Sequence, residues 1–171
     1  MTGPIDLHIH TRYSDGMQTP SEIVALAKAL KLSTIAITDH DSIDGVLEGA
    51  EAGQRLGISV IAGVELSVTH EEFDDVHLLG YYIDPRDQQF QELLRDIRQQ
   101  RHTRGLAIVA NVNRMLQEEG VATINADALD ITIESALGRP HIARLLVARG
   151  AASSMEDAFN RYLIPANVAK H

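Results

Sequence analysis

The chain begins with a stretch in which apolar and polar residues alternate. Residues 5–10 read Ile-Asp-Leu-His-Ile-His. Alternate side chains of a β-strand share a face, so this pattern predicts a strand with one apolar face and one face that carries His8 and His10. Asp15 follows within a short polar turn. Two histidines at this spacing can bind one metal ion, although an exposed strand with a coincidental His-x-His would look the same.

The pattern then alternates between helical and extended segments. Thr19-Pro-Ser-Glu has the form of a helix start, and the apolar spacing that follows predicts a helix to about Leu30. A second helix is predicted from about residue 42 or 43 to Gly57, a residue suited to ending a helix. Extended stretches are predicted at 34–38, at 58–68 with an interruption at Gly63, and at 76–82. Strands that alternate with helices indicate an α/β protein with a parallel sheet or a (β/α) barrel.

The second half of the chain has a helical pattern. Apolar residues near helical spacing predict a helix over 88–119 that ends at Gly120, with a possible kink at Gly105. Two shorter helices are predicted, one from Pro140 to Gly150 and one beginning with a capping box at residues 153–156. We therefore expect two parts, an α/β part over 1–86 and an all-helical part over 87–171.

Composition limits the classes of function. The 171 residues, of which 44% are hydrophobic, are enough for one core, and the chain contains no cysteine. Any metal must therefore be bound by His, Asp and Glu. The net charge of −9 disfavours long nucleic acid as a partner but permits a small phosphorylated ligand. The chain has no apolar run that would span a membrane, and we expect a soluble, cytoplasmic protein.

Six residues of types that bind metals lie on or just after the predicted strands. Each has an ordinary structural explanation by itself: Glu65 as an edge charge, His77 as a core histidine, His40 as a helix cap. Because the carboxyl ends of parallel strands meet at one edge of a sheet, the six together predict a site for more than one metal ion. The predicted ligands are His8, His10, Asp15, His40, Glu65 and His77.

Four segments carry a family resemblance. Residues 6–16 (Asp-Leu-His-Ile-His-Thr-Arg-Tyr-Ser-Asp-Gly), 35–41 (Ile-Ala-Ile-Thr-Asp-His-Asp), 63–66 (Gly-Val-Glu-Leu) and 77–81 (His-Leu-Leu-Gly-Tyr) resemble the polymerase and histidinol phosphatase (PHP) superfamily of metal-dependent phosphoesterases. Residues 138–143 (Gly-Arg-Pro-His-Ile-Ala) are similar to a subgroup of small stand-alone proteins that act on nucleoside bisphosphates and short oligonucleotides.

The resemblance implies a fold and an assignment of ligands. The fold would be the N-terminal part of a distorted (β/α)₇ barrel with an all-helical insertion, or lid, over its mouth. Up to three divalent ions, of manganese, zinc or iron, would be bound. His8, His10 and Glu65 would bind the first, Glu65 and His77 the second, and Asp15 and His40 the third.

Family members take further ligands from the C-terminal part of the barrel, a His-Pro and then an Asp-x-His near its end, and this chain contains neither motif after His77. We therefore expect the sequence to be a fragment of a longer protein, since a few strands cannot close a barrel.

A substrate-binding role is predicted for Arg139 and His141. They flank Pro140 at a predicted helix start, where backbone N–H groups favour an anion and an arginine can bind phosphate through two hydrogen bonds. A solvated helix-start residue is the alternative for Arg139, and the resemblance is what favours the phosphate-binding role. His70, His102 and His171 have no motif context and are predicted to lie at the surface.

The expected function is metal-dependent hydrolysis of phosphate esters by a metal-activated hydroxide. The substrates implied are nucleoside 3′,5′-bisphosphates or short 5′-phosphorylated oligonucleotides. Two alternatives stay open: a histidinol-phosphate phosphatase, and a non-catalytic PHP module that acts as a scaffold. The sequence leaves the metal, the exact substrate and the oligomeric state undetermined.

Overall fold

The computed structural model of the chain describes residues 3–70, 73–125 and 137–166. These residues form two compact units that divide within one long helix, between Ile97 and Arg98. The domain boundary expected between residues 86 and 87 stays a prediction. The α/β class and the helical second half are both confirmed.

The first unit is a four-stranded sheet with two helices. Its strands are β1 (Ile5–Ile9), β2 (Thr34–Ile37), β3 (Ser59–His70) and β4 (Phe73–Tyr81), in the order β1-β2-β3-β4. Helix α1 (Pro20–Ala29) begins with the predicted capping box at Thr19, and α2 (Val46–Leu56) ends at Gly57, whose φ is 69°. The sheet is curled. Its two outer strands approach each other closely enough for the Tyr81 hydroxyl of β4 to donate to the Leu7 carbonyl of β1 at 2.9 Å.

The strand directions differ in part from the expected parallel sheet. β1, β2 and β3 are parallel, whereas β3 and β4 pair antiparallel. Only two residues connect β3 to β4, and a parallel neighbour would need a crossover of a dozen residues or more. Gly63 does not interrupt β3. A Cβ at Gly63 would lie 2.7 Å from Thr38 Cγ2 and 2.9 Å from the Ile37 carbonyl oxygen, so glycine allows the strands to approach closely.

The second unit is built around helices. Long helix α3 (Gln88–Glu118) enters it from the first unit and is followed by Gly120 at φ 71°. α4 (Arg139–Ala148) and the short α5 (Met155–Ala158) lead into a π-helical turn at Phe159–Leu163. The buried Tyr162 donates its hydroxyl to Glu119 at 2.7 Å. The pKa of the phenol is raised, mainly by burial and secondly by this hydrogen bond.

The helices differ from the prediction in detail. α3 continues through Gly105, the site of the possible kink; a Cβ there would lie only 2.3 Å from the Leu137 carbonyl oxygen, so the glycine makes room for a neighbouring segment. α2 begins later than expected, after a turn in which Ser42 and Asp44 bond to each other. The cap of α5 is Ser154, one residue after the predicted position.

No helix within residues 3–70, 73–125 and 137–166 combines the length and apolar character needed to cross a membrane.

Candidate metal centre

The six predicted ligands converge at the carboxyl ends of the parallel strands. His8 lies in β1, and His10 and Asp15 lie just beyond it. His40 follows β2 and forms an isolated parallel bridge with Glu65 of β3. His77 lies in β4 opposite Ser67, so its side chain shares a face with Glu65 two residues along β3.

Glu65 is the centre of the cluster. Its side chain is only 3% exposed, and its Oε2 lies 2.8 Å from His8 Nε2, 2.9 Å from His10 Nε2 and 3.5 Å from His40 Nδ1. The other oxygen, Oε1, contacts His77 Nδ1 at 2.5 Å. One buried carboxylate therefore contacts four imidazoles.

Asp15 supplies a second carboxylate on the far side of His10. Its Oδ1 lies 3.4 Å from His10 Nδ1, and its Oδ2 lies 3.8 Å from His40 Nε2. The imidazole rings of His8, His10, His40 and His77 follow one another with centroid distances of 5.0, 4.6 and 4.8 Å. The site is thus a continuous row of imidazoles bordered by two carboxylates.

The donor atoms fit divalent metal ions. His8 Nε2 and His10 Nε2 are 3.0 Å apart, and both approach the same oxygen of Glu65. A single proton can bridge only one of these three atom pairs, whereas one cation can accept lone pairs from all three atoms. Imidazole with carboxylate is a ligand set suited to manganese, iron and zinc.

The possible ligand groups overlap. Within each group the ligand atoms lie within 4.8 Å of one another. The groups are His8, His10 and Glu65; His10, Asp15 and His40; and His40, Glu65 and His77. Because His10, His40 and Glu65 each belong to two groups, neighbouring ions would share ligands.

Two buried aspartates on either side of His40 shape the site, and the sequence analysis did not assign them a role. Asp39 is 1% exposed and accepts hydrogen bonds from the loop between His10 and Asp15. Burial raises the pKa of the Asp39 carboxyl, and the bonds from Ser14 and Thr11 oppose this shift. Their position in the Asp-His-Asp segment, just after a predicted strand, was the available signal.

Asp41 fixes β3 beside His40. Its φ is 51°, its side chain is fully buried, and its Oδ1 accepts the Ser67 backbone N–H at 2.8 Å. Its own N–H donates to the Glu65 carbonyl at 2.9 Å. These two hydrogen bonds hold β3 beside His40 in the register that places Glu65 against the imidazoles.

The remaining residues singled out in the sequence lie elsewhere. Arg139 and His141 belong to the second unit, at the start of α4, where His141 Nδ1 accepts the Gly138 N–H at 3.1 Å. His102 lies in α3 and is partly exposed, with its Nδ1 shielded from solvent. His171 and the side chain of His70 lie outside the described residues.

Comparison with known proteins gives consistent results. A 3′,5′-nucleoside bisphosphate phosphatase from Chromobacterium violaceum is 37% identical over 162 residues, which are 94% of this chain and 55% of that protein. The 5′-3′ exoribonuclease Rnm from Salmonella typhimurium is 34% identical over 160 residues, which are 92% of this chain and 53% of that protein. The chain therefore spans about half the length of the curated relatives it matches.

Structural similarity covers nearly all of the chain. A Bifidobacterium adolescentis protein assigned as a metal-dependent phosphoesterase has a TM-score of 0.85 and 29% identity, covering 99% of this chain and 60% of that protein. Residues 6–163 match the PHP domain. This match overlaps all four described strands and includes all six of the clustered ligand-type residues, and the chain belongs to the PHP domain family.

Proposed function

We propose that this chain carries part of the active site of a metal-dependent phosphoester hydrolase. The main support for this proposal is the convergence of four imidazoles and two carboxylates at one end of the sheet. His8, His10, Asp15, His40, Glu65 and His77 would bind the metal ions. Bound there, the ions would supply a water of lowered pKa and positive charge for the phosphate oxygens.

The chain's own residues contribute position and charge. Glu65 and Asp15 place negative charge between the imidazoles, so a divalent cation is favoured over an anion in this cluster. The strands fix the ligand-bearing backbone, and the bonds of Asp39 and Asp41 fix the loops beside it. Such a site needs no nucleophilic side chain.

Nucleotide substrates are favoured by the relatives. One is named for nucleoside 3′,5′-bisphosphates and the other for 5′-3′ cleavage of RNA. Both of these substrates contain a phosphate ester attached to a ribose. We propose the same substrate classes for the protein to which this chain belongs. Histidinol phosphate is less favoured, because the similarity to these nucleotide enzymes extends over more than nine-tenths of the chain. The net charge of −9 also favours small substrates over long nucleic acid.

The direct test is phosphate release from adenosine 3′,5′-bisphosphate in the presence of Mn²⁺. Parallel reactions contain a chelator, a short 5′-phosphorylated RNA, or histidinol phosphate. We expect chelator-sensitive turnover of a nucleotide substrate and little turnover of histidinol phosphate. If Mn²⁺ binds but no nucleotide substrate is hydrolysed, the same assay is repeated on the longer protein to which this chain belongs, and inactivity there as well would favour the scaffold alternative.

Arg139→Ala tests the proposed substrate-binding role of α4. A hydrogen-bonded charge pair with phosphate is worth about 1.5–3 kcal/mol, so we expect KM for the bisphosphate to rise about tenfold to a hundredfold. Metal content should not change, because Arg139 is not among the clustered ligands. Arg149→Ala, at the other end of the same helix, is the matched control. Equal KM values for the two variants would remove the phosphate-binding role.

A further inference from the structure

We propose that the Thr38 hydroxyl fixes a bulge in β1 and thereby holds His8 and His10 at the spacing that lets both rings bind one metal ion. Thr38 is the first residue after β2 and is fully buried. It is a positioning residue, since it acts through the backbone of Ile9 and is not among the clustered ligands. The consequence for metal binding rests on the proposed function, whereas the bulge and its hydrogen bonds belong to the fold.

β1 contains one residue more than its partner strand at the end that carries the ligands. Asp6 pairs with Ile35, whereas Ile9 pairs with Ile37. Three steps along β1 therefore match two steps along β2. An extra residue of this kind bends the strand and changes the direction of the side chains beside it. The location of the bulge thus determines where the two histidines on either side of Ile9 point.

Thr38 binds the residue that closes this bulge. Its backbone N–H donates to the Ile9 carbonyl at 2.9 Å. Its hydroxyl accepts the Ile9 backbone N–H at 3.1 Å and donates to the Ile9 carbonyl at 3.3 Å. Because one residue binds both polar backbone groups of Ile9, the extra residue of β1 is held on the N-terminal side of Ile9 and cannot move past it.

A glycine of β3 accounts for the orientation of the hydroxyl. A Cβ at Gly63 would lie 2.7 Å from Thr38 Cγ2, so the Thr38 methyl group fills the space that a side chain would take there. The methyl and hydroxyl of a threonine turn together about one stiff bond. With the methyl against Gly63, the hydroxyl faces Ile9. Thr38 therefore contacts both β1 and β3, the strands that position the first ligand group.

The first ligand group depends on this spacing. His8 Nε2 and His10 Nε2 lie 3.0 Å apart, and they lie 2.8 and 2.9 Å from the same oxygen of Glu65. A metal site needs its ligands within about 0.5 Å of their productive positions. Because Ile9 lies between the two histidines, a shift of its backbone moves both rings relative to Glu65.

Thr38→Val isolates the hydroxyl. Valine has a similar branched shape and keeps the backbone bond to the Ile9 carbonyl. We expect the affinity for Mn²⁺, measured calorimetrically, to fall about 10- to 100-fold. Thr34→Val is the matched control, because it makes the same change at the other end of β2. Its affinity should stay within about threefold of the unsubstituted chain.

Thr38→Ser and Thr38→Ala repeat the comparison without the methyl group. Serine retains the hydroxyl, so its affinity for Mn²⁺ should stay within about threefold of the unsubstituted chain, whereas alanine should lose about 10- to 100-fold. A general loss of packing at Gly63 would affect both variants alike. This pair also decides the matter if Thr38→Val does not fold.

Amide hydrogen exchange of Ile9, followed by NMR in the metal-free chain, gives a readout that is independent of metal. A hydrogen bond is worth about 0.5–1.5 kcal/mol, so exchange at Ile9 should be about 3- to 10-fold faster in Thr38→Val than in Thr34→Val.

Equal Mn²⁺ affinities in the two valine variants would overturn the proposal, as would equal affinities in the serine and alanine variants. If the unsubstituted chain binds no Mn²⁺, the proposed function fails, and exchange at Ile9 still decides whether the hydroxyl holds the bulge.

Discussion

Glu65→Gln should reduce the affinity of the chain for Mn²⁺ by at least about 100-fold, because even partners outside the ligand set cost 10- to 100-fold when removed. Glu65 contacts all four imidazoles through its two oxygens. Gln removes the negative charge and replaces one oxygen with an amide that donates. Neighbouring ions would lose the carboxylate that two of the three ligand groups share.

Calorimetry and thermal unfolding with and without Mn²⁺ measure this effect. A ligand at 100 times its dissociation constant stabilises the folded state by about 2.7 kcal/mol, so the unsubstituted chain should melt at a clearly higher temperature when metal is added. Glu65→Gln should lose most of that increase, together with any phosphatase activity. Glu51→Gln, at an exposed position of α2, should retain both. Unchanged Mn²⁺ affinity in Glu65→Gln would exclude Glu65 as a ligand.

Gly105→Ala should destabilise the chain by about 1–3 kcal/mol, although alanine is the better helix former. The new Cβ would lie 2.3 Å from the Leu137 carbonyl oxygen and 2.8 Å from its Cβ. A backbone carbonyl cannot move aside as a flexible side chain can, so the segment at Leu137 would have to shift.

Urea unfolding distinguishes this packing effect from helix propensity. Ala110→Gly, at an exposed position of the same helix, measures the propensity difference, expected to be about 1 kcal/mol. If propensity alone decided the result, Gly105→Ala would stabilise the chain by that amount. A stabilised variant would therefore contradict the close contact with Leu137.

The strands and the cluster of polar side chains at their ends could be predicted because both depend on local pattern. Alternation placed His8 and His10 on one face of β1, and parallel strands bring their carboxyl ends to one edge. The role of Asp39 could not be read in the same way. Its partners, Thr11 and Ser14, are more than twenty residues away in sequence, and no periodicity marks such a pairing.

The two glycines inside regular elements show the same limit. Gly63 and Gly105 were interpreted from local propensity, as an interruption and as a kink. In the structure both lie within unbroken elements, at positions where another backbone segment passes too closely for a Cβ. The need for glycine there arises from tertiary contact, which a single sequence does not reveal.

The edge position of β1 gives the metal centre a second consequence. Among the described strands, β1 pairs in a ladder only with β2, and the bond from the Tyr81 side chain to the Leu7 carbonyl is a single contact rather than a second ladder. An edge strand of this kind can pair with a strand of another molecule when it opens. A metal ion held by His8 and Glu65 would join residues 57 positions apart, in effect a reversible crosslink that holds β1 in place. Metal depletion would then increase both the opening of this edge and the tendency to aggregate through it.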